Sequence, residues 1–262
     1  MLQGKIEMKS INISIDVEPD LYGGKFEGIT KGLDKFIGIL NKYNIKATLF
    51  VTAEILDKYP KIFQNLKKQG YEIGLHGYKH ERFDELDLKE KKELLKKSVK
   101  IYKNVLKENP KGFRAPQHSI DNETLTLLED YNFKYDSSTI PWNFHHIFLP
   151  QIKIKFDYNF KKMKIHKMNN LYEIPITSFI LPFSALTIRF LPFFIFKIYI
   201  RFVNLFKNKI FFMHSWDFIK LKKSRLYNRC PLKEFLKRFD YMLNYFNKNN
   251  EFKTIESMCL YD

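Results

Sequence analysis

Residues 10–20 read SINISIDVEPD, and this run decides the fold class. Ile11, Ile13, Ile15 and Val17 alternate with polar residues, which is the period-two pattern of a β-strand with one apolar and one polar face. Asp16 and Glu18 stand at the end of the alternating pattern. In an α/β fold, functional side chains lie at the carboxyl ends of parallel strands. The run therefore predicts both a strand and the edge of a site.

Outward from this run, short β-like segments alternate with helical patterns along the chain. Further candidate strands are residues 46–52, 71–76, 112–115, 133–136, 172–177, 209–215 and 252–258. Apolar stripes at helical spacing begin at Leu33, Ile62, Leu95 and Leu232, and Gly70 is expected to end the second helix. The alternation predicts a parallel sheet or a βα barrel with no internal domain boundary.

The composition fits a folded, basic protein. Apolar residues make up 45% of the 262 residues, and 45 Lys and Arg against 29 Asp and Glu give a net charge of +16. The charge fits either a general Lys-, Asn-, Ile- and Phe-rich bias or a basic surface that faces an anionic membrane or glycan. A nucleic-acid partner is not expected, because the sequence has no basic stripe with interleaved stacking aromatics.

Two segments of the sequence bear on where in the cell the protein is located. No apolar run of signal-peptide length precedes the first strand, so we expect a cytoplasmic protein. Residues 174–206 are very apolar, but cations and prolines interrupt them, so they do not predict a membrane span. They fit a buried loop and helix beside the active site. Alternatively, they form a peripheral contact at the inner face of the membrane. The sequence indicates no oligomeric state.

Two pairs of residues have the chemistry of a metal site. Asp16 and Glu18 lie two apart at a strand end, so both point to one face, where they would repel unless a cation or proton lay between them. His76 and His80 are expected to face the same way on one helical turn and could chelate a zinc-class ion. Together they predict a two-histidine, one-carboxylate site with open positions. Capping and core packing are the structural alternatives.

Two further polar residues follow candidate strands. Arg114, in the run GFRAPQ, could hold a catalytic carboxylate through a bidentate pair, and an ordinary salt bridge is the alternative. His214, in the run FFMHSWD, could be a general acid oriented by Asp217 or another carboxylate. A core histidine is the alternative for His214.

Six segments, in this order, resemble the polysaccharide deacetylase family, the carbohydrate esterases with a NodB-homology domain: SIDVEPD, KATLFVT, EIGLHGYKH, GFRAPQHSI, FKYDSSTIPW and MHSWDF. The resemblance covers nearly the whole chain, and we expect residues 1–262 to form one such domain. It is nearest to the subgroup with DVE in the first block and HSW in the last, which is linked to surface-glycan synthesis. It implies an α/β fold, the family's distorted (β/α)7 barrel.

The resemblance also implies roles for individual residues. His76 and His80 match the metal-binding histidines, and Asp16 matches the catalytic base that activates water. Arg114 matches the arginine that orients this base. His214 matches the histidine that protonates the leaving amine.

Further candidates lie around this set. The backbone N–H of Gln117 matches the family's oxyanion donor. Asp136 and Trp142 fall in the block that shapes the pocket wall, and Trp216 is a further candidate for substrate binding. Each of these assignments is an implication of the resemblance.

The first block departs from the family pattern. The usual block has two adjacent aspartates, the base and then the metal ligand, whereas Val17 stands in the second place here and Glu18 follows. Because Asp16 and Glu18 share a strand face, we assign Glu18 as the metal ligand and Asp16 as the base. The reverse assignment is the alternative.

The expected activity is metal-dependent removal of an acetyl group from an N-acetylated sugar, in a surface polysaccharide or its lipid-linked precursor. Zn²⁺ is the expected ion. Two other readings stay open: hydrolysis of another non-peptide C–N bond, such as that of a cyclic ureide or formamide, and a catalytically silent glycan- or lipid-binding module. The sequence does not reveal which sugar is the substrate.

Overall fold

The central strand is the one that the alternating run predicts. The computed structural model describes residues 8–21, 25–141, 163–168, 170–221, 227 and 229–259. In it, β1 (Lys9–Val17) pairs in parallel with β2 (Thr48–Val51) on one side and β10 (Asn208–His214) on the other. Its polar face is buried as well as its apolar face, and Asn12 and Ser14 hydrogen-bond inside the protein. The polar face therefore points into the barrel, not to solvent.

The other strands extend the sheet in both directions. They are β3 (Glu72–Leu75), β4 (Gly112–Phe113), β5 (Tyr135–Asp136), β6 (His166–Met168), β7 (Leu171–Glu173) and β11 (Asn250–Phe252). The order is β10-β1-β2-β3-β4-β5-β7-β6, and β11 also pairs with β1. All pairs in this sheet are parallel except β6 with β7. The predicted strand over residues 252–258 is wrong beyond its first residue, because a helix follows.

The segment after β7 joins the two sides of the sheet. The Ile174 N–H donates to Asp136 O at 2.8 Å, and the Thr177 N–H donates to Ile210 O at 3.2 Å. The chain thus passes from β5 to β10, with β8 (Ser178–Phe179) and β9 (Leu181–Pro182) as a small hairpin on the way. The predicted α/β barrel is confirmed, and its distortion is this irregular closing segment.

Helices connect the strands. They are α1 (Leu33–Asn41), α2 (Ala53–Lys58), α3 (Pro60–Lys68), α4 (Leu88–Leu106), α5 (Asn122–Asp130), α6 (Ala185–Phe190), α7 (Phe193–Val203), α8 (Leu232–Asn247) and α9 (Ile255–Cys259). The four predicted stripes are α1, α3, α4 and α8. Gly70 follows α3 with a φ of +88°, the left-handed conformation expected of a glycine stop.

Helix α8 shows how the stripes cover the barrel. Phe235, Phe239 and Phe246 are fully buried on one face of the helix. The ring of Phe239 stacks on Phe211 of β10 at a centroid distance of 6.0 Å. Burying each such ring contributes about 1.5–3 kcal/mol. This packing fixes β10, and with it the end of the strand that carries His214.

The apolar stretch 174–206 forms the closing segment, α6 and α7. The closing segment and α6 are mostly buried, as the alternative of a buried loop and helix predicts, whereas one side of α7 is exposed. None of the helices in the described ranges is both long and apolar enough to cross a membrane.

Candidate active site

The carboxyl ends of the strands bring the predicted residues together. Asp16 is the last residue but one of β1 and lies opposite His214 in the register with β10. His76 directly follows β3, and Arg114 directly follows β4. Glu18 continues from β1. The site therefore lies at the edge of the sheet where the sequence places it.

Glu18 lies between the two histidines. Its Oε2 is 3.3 Å from His76 Nε2 and 2.5 Å from His80 Nε2. One ligand atom from each of the three residues lies within 4.8 Å of the others. Burial would raise the pKa of Glu18, but the imidazoles of His76, His80 and His214 beside it outweigh burial and hold the pKa well below its usual value. Glu18 is therefore a carboxylate.

The two histidines converge through a loop, so the expected helical turn is wrong. Residues 76–82 have no regular secondary structure. Gly77 and His80 have φ values of +69° and +82°. A side chain at Gly77 would also crowd the ring of Pro116 at 3.0 Å. These left-handed residues, not a 3.6-residue period, direct both rings to Glu18.

A backbone contact fixes the tautomer of His76. Its Nδ1 lies 2.7 Å from Arg114 O, and a carbonyl only accepts, so Nδ1 carries the proton. In the neutral imidazole, Nε2 then offers a lone pair. Among the described residues, neither His76 Nε2 nor Glu18 Oε2 has a hydrogen-bond partner, although both are buried. Two buried, unsatisfied ligand atoms that face each other fit a divalent cation.

Arg114 holds Asp16. The Arg114 Nη1 donates to Asp16 Oδ1 at 2.8 Å and to Ser14 Oγ at 3.0 Å, and the arginine is fully buried. Burial would raise the pKa of Asp16, but the Arg114 charge leads the contributions that lower it below its usual value. The second oxygen, Oδ2, lies 3.9 Å from His76 Nε2. Asp16 is therefore an ionised carboxylate beside the three candidate ligands.

Trp216 contacts the other residues of the site. Its Nε1 donates to Glu18 Oε1 at 3.2 Å, and its ring stacks on His214 with centroids 4.2 Å apart and planes at 11°. Only 4% of Trp216 is exposed. Its predicted contact with substrate stays a prediction, whereas its contacts here orient Glu18 and His214.

His214 is held by a buried carboxylate. Its backbone N–H donates to Asp217 Oδ2 at 2.9 Å, and its ring Nδ1 is 3.7 Å from the same oxygen. Arg189 in turn donates to Asp217 O at 2.7 Å. Burial would lower the pKa of His214, but Asp217, Glu18 and Asp16 together raise it to about 9. His214 is therefore protonated at neutral pH and can donate a proton.

Gln117 and His118 line the rim of a pocket of about 210 Å³. Both have positive φ, +53° and +56°, which costs about 1–2 kcal/mol for a residue with a side chain. His118 Nδ1 lies 2.9 Å from Ser138 O. Burial and the Arg114 charge lower the pKa of His118 to about 3, so it is neutral. Gln117 is exposed on the lining of this pocket, and its predicted role as oxyanion donor stays a prediction.

Asp136 lies behind the wall of the pocket, and its part in substrate binding stays a prediction. Asp136 is fully buried, and its carboxylate accepts from the Ser138 N–H and Oγ–H at 2.9 and 2.7 Å. Burial and the nearby Asp136 charge raise the pKa of Glu173 well above its usual value. Asp136 therefore supports the wall of the pocket through Ser138. Trp142 lies outside the described residues.

Comparison with known proteins gives the family. A sequence profile described as polysaccharide deacetylase matches residues 4–135, half of the chain. The chain belongs to the polysaccharide deacetylase family. The match ends at β5. It therefore includes the three candidate metal ligands, together with Asp16 and Arg114, but it does not include His214.

Individual relatives agree with this assignment. The chain is 34% identical to the peptidoglycan deacetylase-like protein FGM2 of Gibberella zeae over 121 residues, which are 45% of this chain and 36% of that protein. It superposes on the structure of a protein from Mycobacterium smegmatis assigned as a polysaccharide deacetylase, with a TM-score of 0.65, 16% identity, and coverage of 97% of this chain and 90% of that one. It is also similar to the PuuE allantoinase, with a TM-score of 0.64, 14% identity, and coverage of 96% and 89%. The two structural matches show the shared fold.

Sequence patterns did not identify several residues that surround this site. His118 lies in the quoted block GFRAPQHSI, but nothing in its spacing singles it out. Glu173 and Arg189 are isolated charges in apolar runs, YEIPIT and LTIRFLP, which is the one signal that marks them as buried and paired.

Proposed function

We propose that this polysaccharide deacetylase family member is a divalent-metal-dependent hydrolase that removes the acetyl group from an N-acetylated sugar. The observation that supports this most directly is the triad Glu18, His76 and His80 beside Asp16. The triad has two imidazoles and one carboxylate, a donor set that suits Zn²⁺. When bound there, such an ion lowers the pKa of water and polarises a carbonyl.

The protein's own residues supply proton transfer on either side of the scissile amide. Asp16, ionised and oriented by Arg114, accepts the proton of the attacking water. We assign the Gln117 N–H as the donor that stabilises the oxyanion. His214, protonated and held by Asp217, donates to the leaving sugar nitrogen. The two carboxylates thereby have different roles: Glu18 binds the ion, and Asp16 transfers the proton.

We propose a surface polysaccharide or its lipid-linked precursor as the substrate, and the cytoplasmic side of the membrane as the place of action. The name of the FGM2 relative supports a glycan substrate of the peptidoglycan type. The chain spans only about a third of that relative's length.

The test is acetate release from N-acetylglucosamine oligomers by the zinc-loaded protein. Asp16→Asn should lower the rate about 10²–10⁴-fold, the range for loss of a general base, while the protein stays folded by circular dichroism. Asp130→Asn, which alters an exposed carboxylate on α5, is the control and should act like wild type. Full turnover by a folded Asp16→Asn protein would contradict the assignment.

The same assay separates the other C–N hydrolase readings. Allantoin and a formylated amine, each offered at the same concentration, should give no turnover. Turnover of either in preference to the acetylated sugar would replace the proposed substrate class. Elemental analysis that finds no stoichiometric metal in a folded, zinc-incubated protein would instead support a silent binding module.

A further inference from the structure

Helix α7 presents a second apolar face to solvent. Phe194, Ile198 and Phe202 lie four residues apart and thus on one side of the helix, and they are 66%, 44% and 45% exposed. Leu205, just beyond the helix, is 71% exposed. The opposite side packs into the core through Phe196, Tyr199, Ile200 and Val203. Packing against the core therefore explains only one of the two apolar faces of α7, because the other face is exposed to solvent.

The exposed face continues into a groove. Phe202 stacks on Phe179 with ring centroids 5.2 Å apart, and both line a groove of about 920 Å³ together with Leu205. Lys164 and Lys167 stand on its other wall, and both are exposed. The face and the groove form one apolar surface with cations at its border.

The charge of this region has one sign. From Ile174 to Trp216 the sequence contains no Asp or Glu. Arg201 and Lys207 are exposed beside the apolar face. An occupant with anionic and apolar parts therefore matches the surface better than a neutral or cationic one.

We propose that this docking face, formed by Phe194, Ile198, Phe202 and Leu205 with Arg201 and Lys207, binds the surface of an anionic lipid bilayer. The 11 residues of α7 rise about 16 Å, against about 30 Å for a hydrocarbon core, so the helix lies in the interface and does not cross it. Aromatic and aliphatic side chains with flanking cations suit that position.

A second copy of the chain is a poorer occupant. A two-fold interface would place the same face against itself and bring Arg201 and Lys207 near their own copies. That arrangement brings like charges together. The lipid surface supplies the counter-charge.

The proposal is tested with the full-length protein and sedimented vesicles, and it does not depend on catalysis. One set of vesicles is phosphatidylcholine, and the other contains roughly a third phosphatidylglycerol, the charge that cationic segments recognise. We expect binding to the anionic set and at least about tenfold weaker binding to the neutral set. Phe194→Ser/Leu205→Ser should weaken anionic binding at least about tenfold. Met8→Ser/Leu88→Ser, which alters exposed apolar residues elsewhere, should not.

The charged border is tested separately. Arg201→Gln/Lys207→Gln should weaken binding by about tenfold, whereas Lys92→Gln/Lys96→Gln, which removes the same charge from exposed positions on α4, should have little effect. If the two double variants lost binding equally, net charge alone would drive binding, and the proposed docking face would be overturned. No vesicle binding, or a concentration-dependent dimer abolished by Phe194→Ser/Leu205→Ser, would also overturn it. Deacetylation of soluble oligomers could persist in either case, so the two proposals fail independently.

Discussion

Replacement of Arg114 by Met tests the pairing on which the general base depends. The guanidinium donates to Asp16 at 2.8 Å and to Ser14 at 3.0 Å, and it also binds Ser137 O and Oγ at 2.9 and 3.0 Å. Met keeps much of the aliphatic stem but removes the charge and all four hydrogen bonds. Asp16 then keeps the burial that raises its pKa and loses the largest contribution that lowers it.

The size of the effect follows from the burial. Removing one partner of a buried ion pair costs about 3–5 kcal/mol, so the free energy of unfolding at pH 7 should fall by that amount. An adjacent Arg lowers an Asp pKa by about 1–3 units, so its loss should raise the Asp16 pKa by as much. Since only the carboxylate accepts a proton, the acid limb of the kcat/KM profile should move up in pH by about 1–3 units.

The pH dependence of stability has a definite sign. In the native protein the depressed pKa of Asp16 contributes stability that is present above the unfolded value of about 3.9 and is lost as the pH falls through the folded pKa. In Arg114→Met the buried, unpaired charge of Asp16 lowers the free energy of unfolding, and protonation of Asp16 removes that destabilisation. The difference in unfolding free energy between the two proteins should therefore shrink from pH 7 toward pH 4.

Urea unfolding and acetate-release rates across pH measure these effects. Lys91→Met is a matched control, because Lys91 is a buried cation paired with Asp121 and Glu123 outside the site. It should destabilise the protein and leave the acid limb in place. Arg114→Met with an unmoved acid limb would refute the link between Arg114 and the base.

Three further predictions concern the remaining contacts. Trp216→Phe keeps the ring stack but loses the hydrogen bond to Glu18, and zinc affinity in a competition titration should fall about 10–100-fold; unchanged affinity would contradict this. Asp217→Asn should lower the His214 pKa from about 9, so the alkaline limb of kcat should move to lower pH, and a fixed limb would show that Asp217 does not hold the proton. Chelation should abolish acetate release and lower the thermal midpoint, and added zinc should restore both. Activity that survives exhaustive chelation would exclude the metal role.

The sequence predicts the parts of this structure that depend on local periodicity. The strand at residues 11–17 and the stripes of α1, α4 and α8 are visible because burial imposes a period of 2 or 3.6 on apolar residues. The convergence of Asp16, Arg114 and His214 is also predictable, because parallel strands end at one edge.

Other features depend on backbone conformation or on distant partners. The spacing of His76 and His80 suggests a helical turn, but the left-handed Gly77 overrides that period. The partner of Asp217 is Arg189, 28 residues earlier, and no local pattern joins them. Such contacts need the fold to be known first.

The carboxylate pair shows why one intervening residue changes the site. Asp16 and Glu18 share a strand face, so both enter the same cavity, and their charges conflict unless each has its own cation. Arg114 is that cation for Asp16. Glu18 is one methylene longer and two residues further along, so its Oε2 reaches both imidazoles while Trp216 restrains its Oε1. Arg114 thus pairs with the carboxylate deeper in the barrel, and Glu18 is the carboxylate that remains for the proposed metal ion. For that reason, the spacing in DVE supports Asp16 as base and Glu18 as ligand more than the reverse.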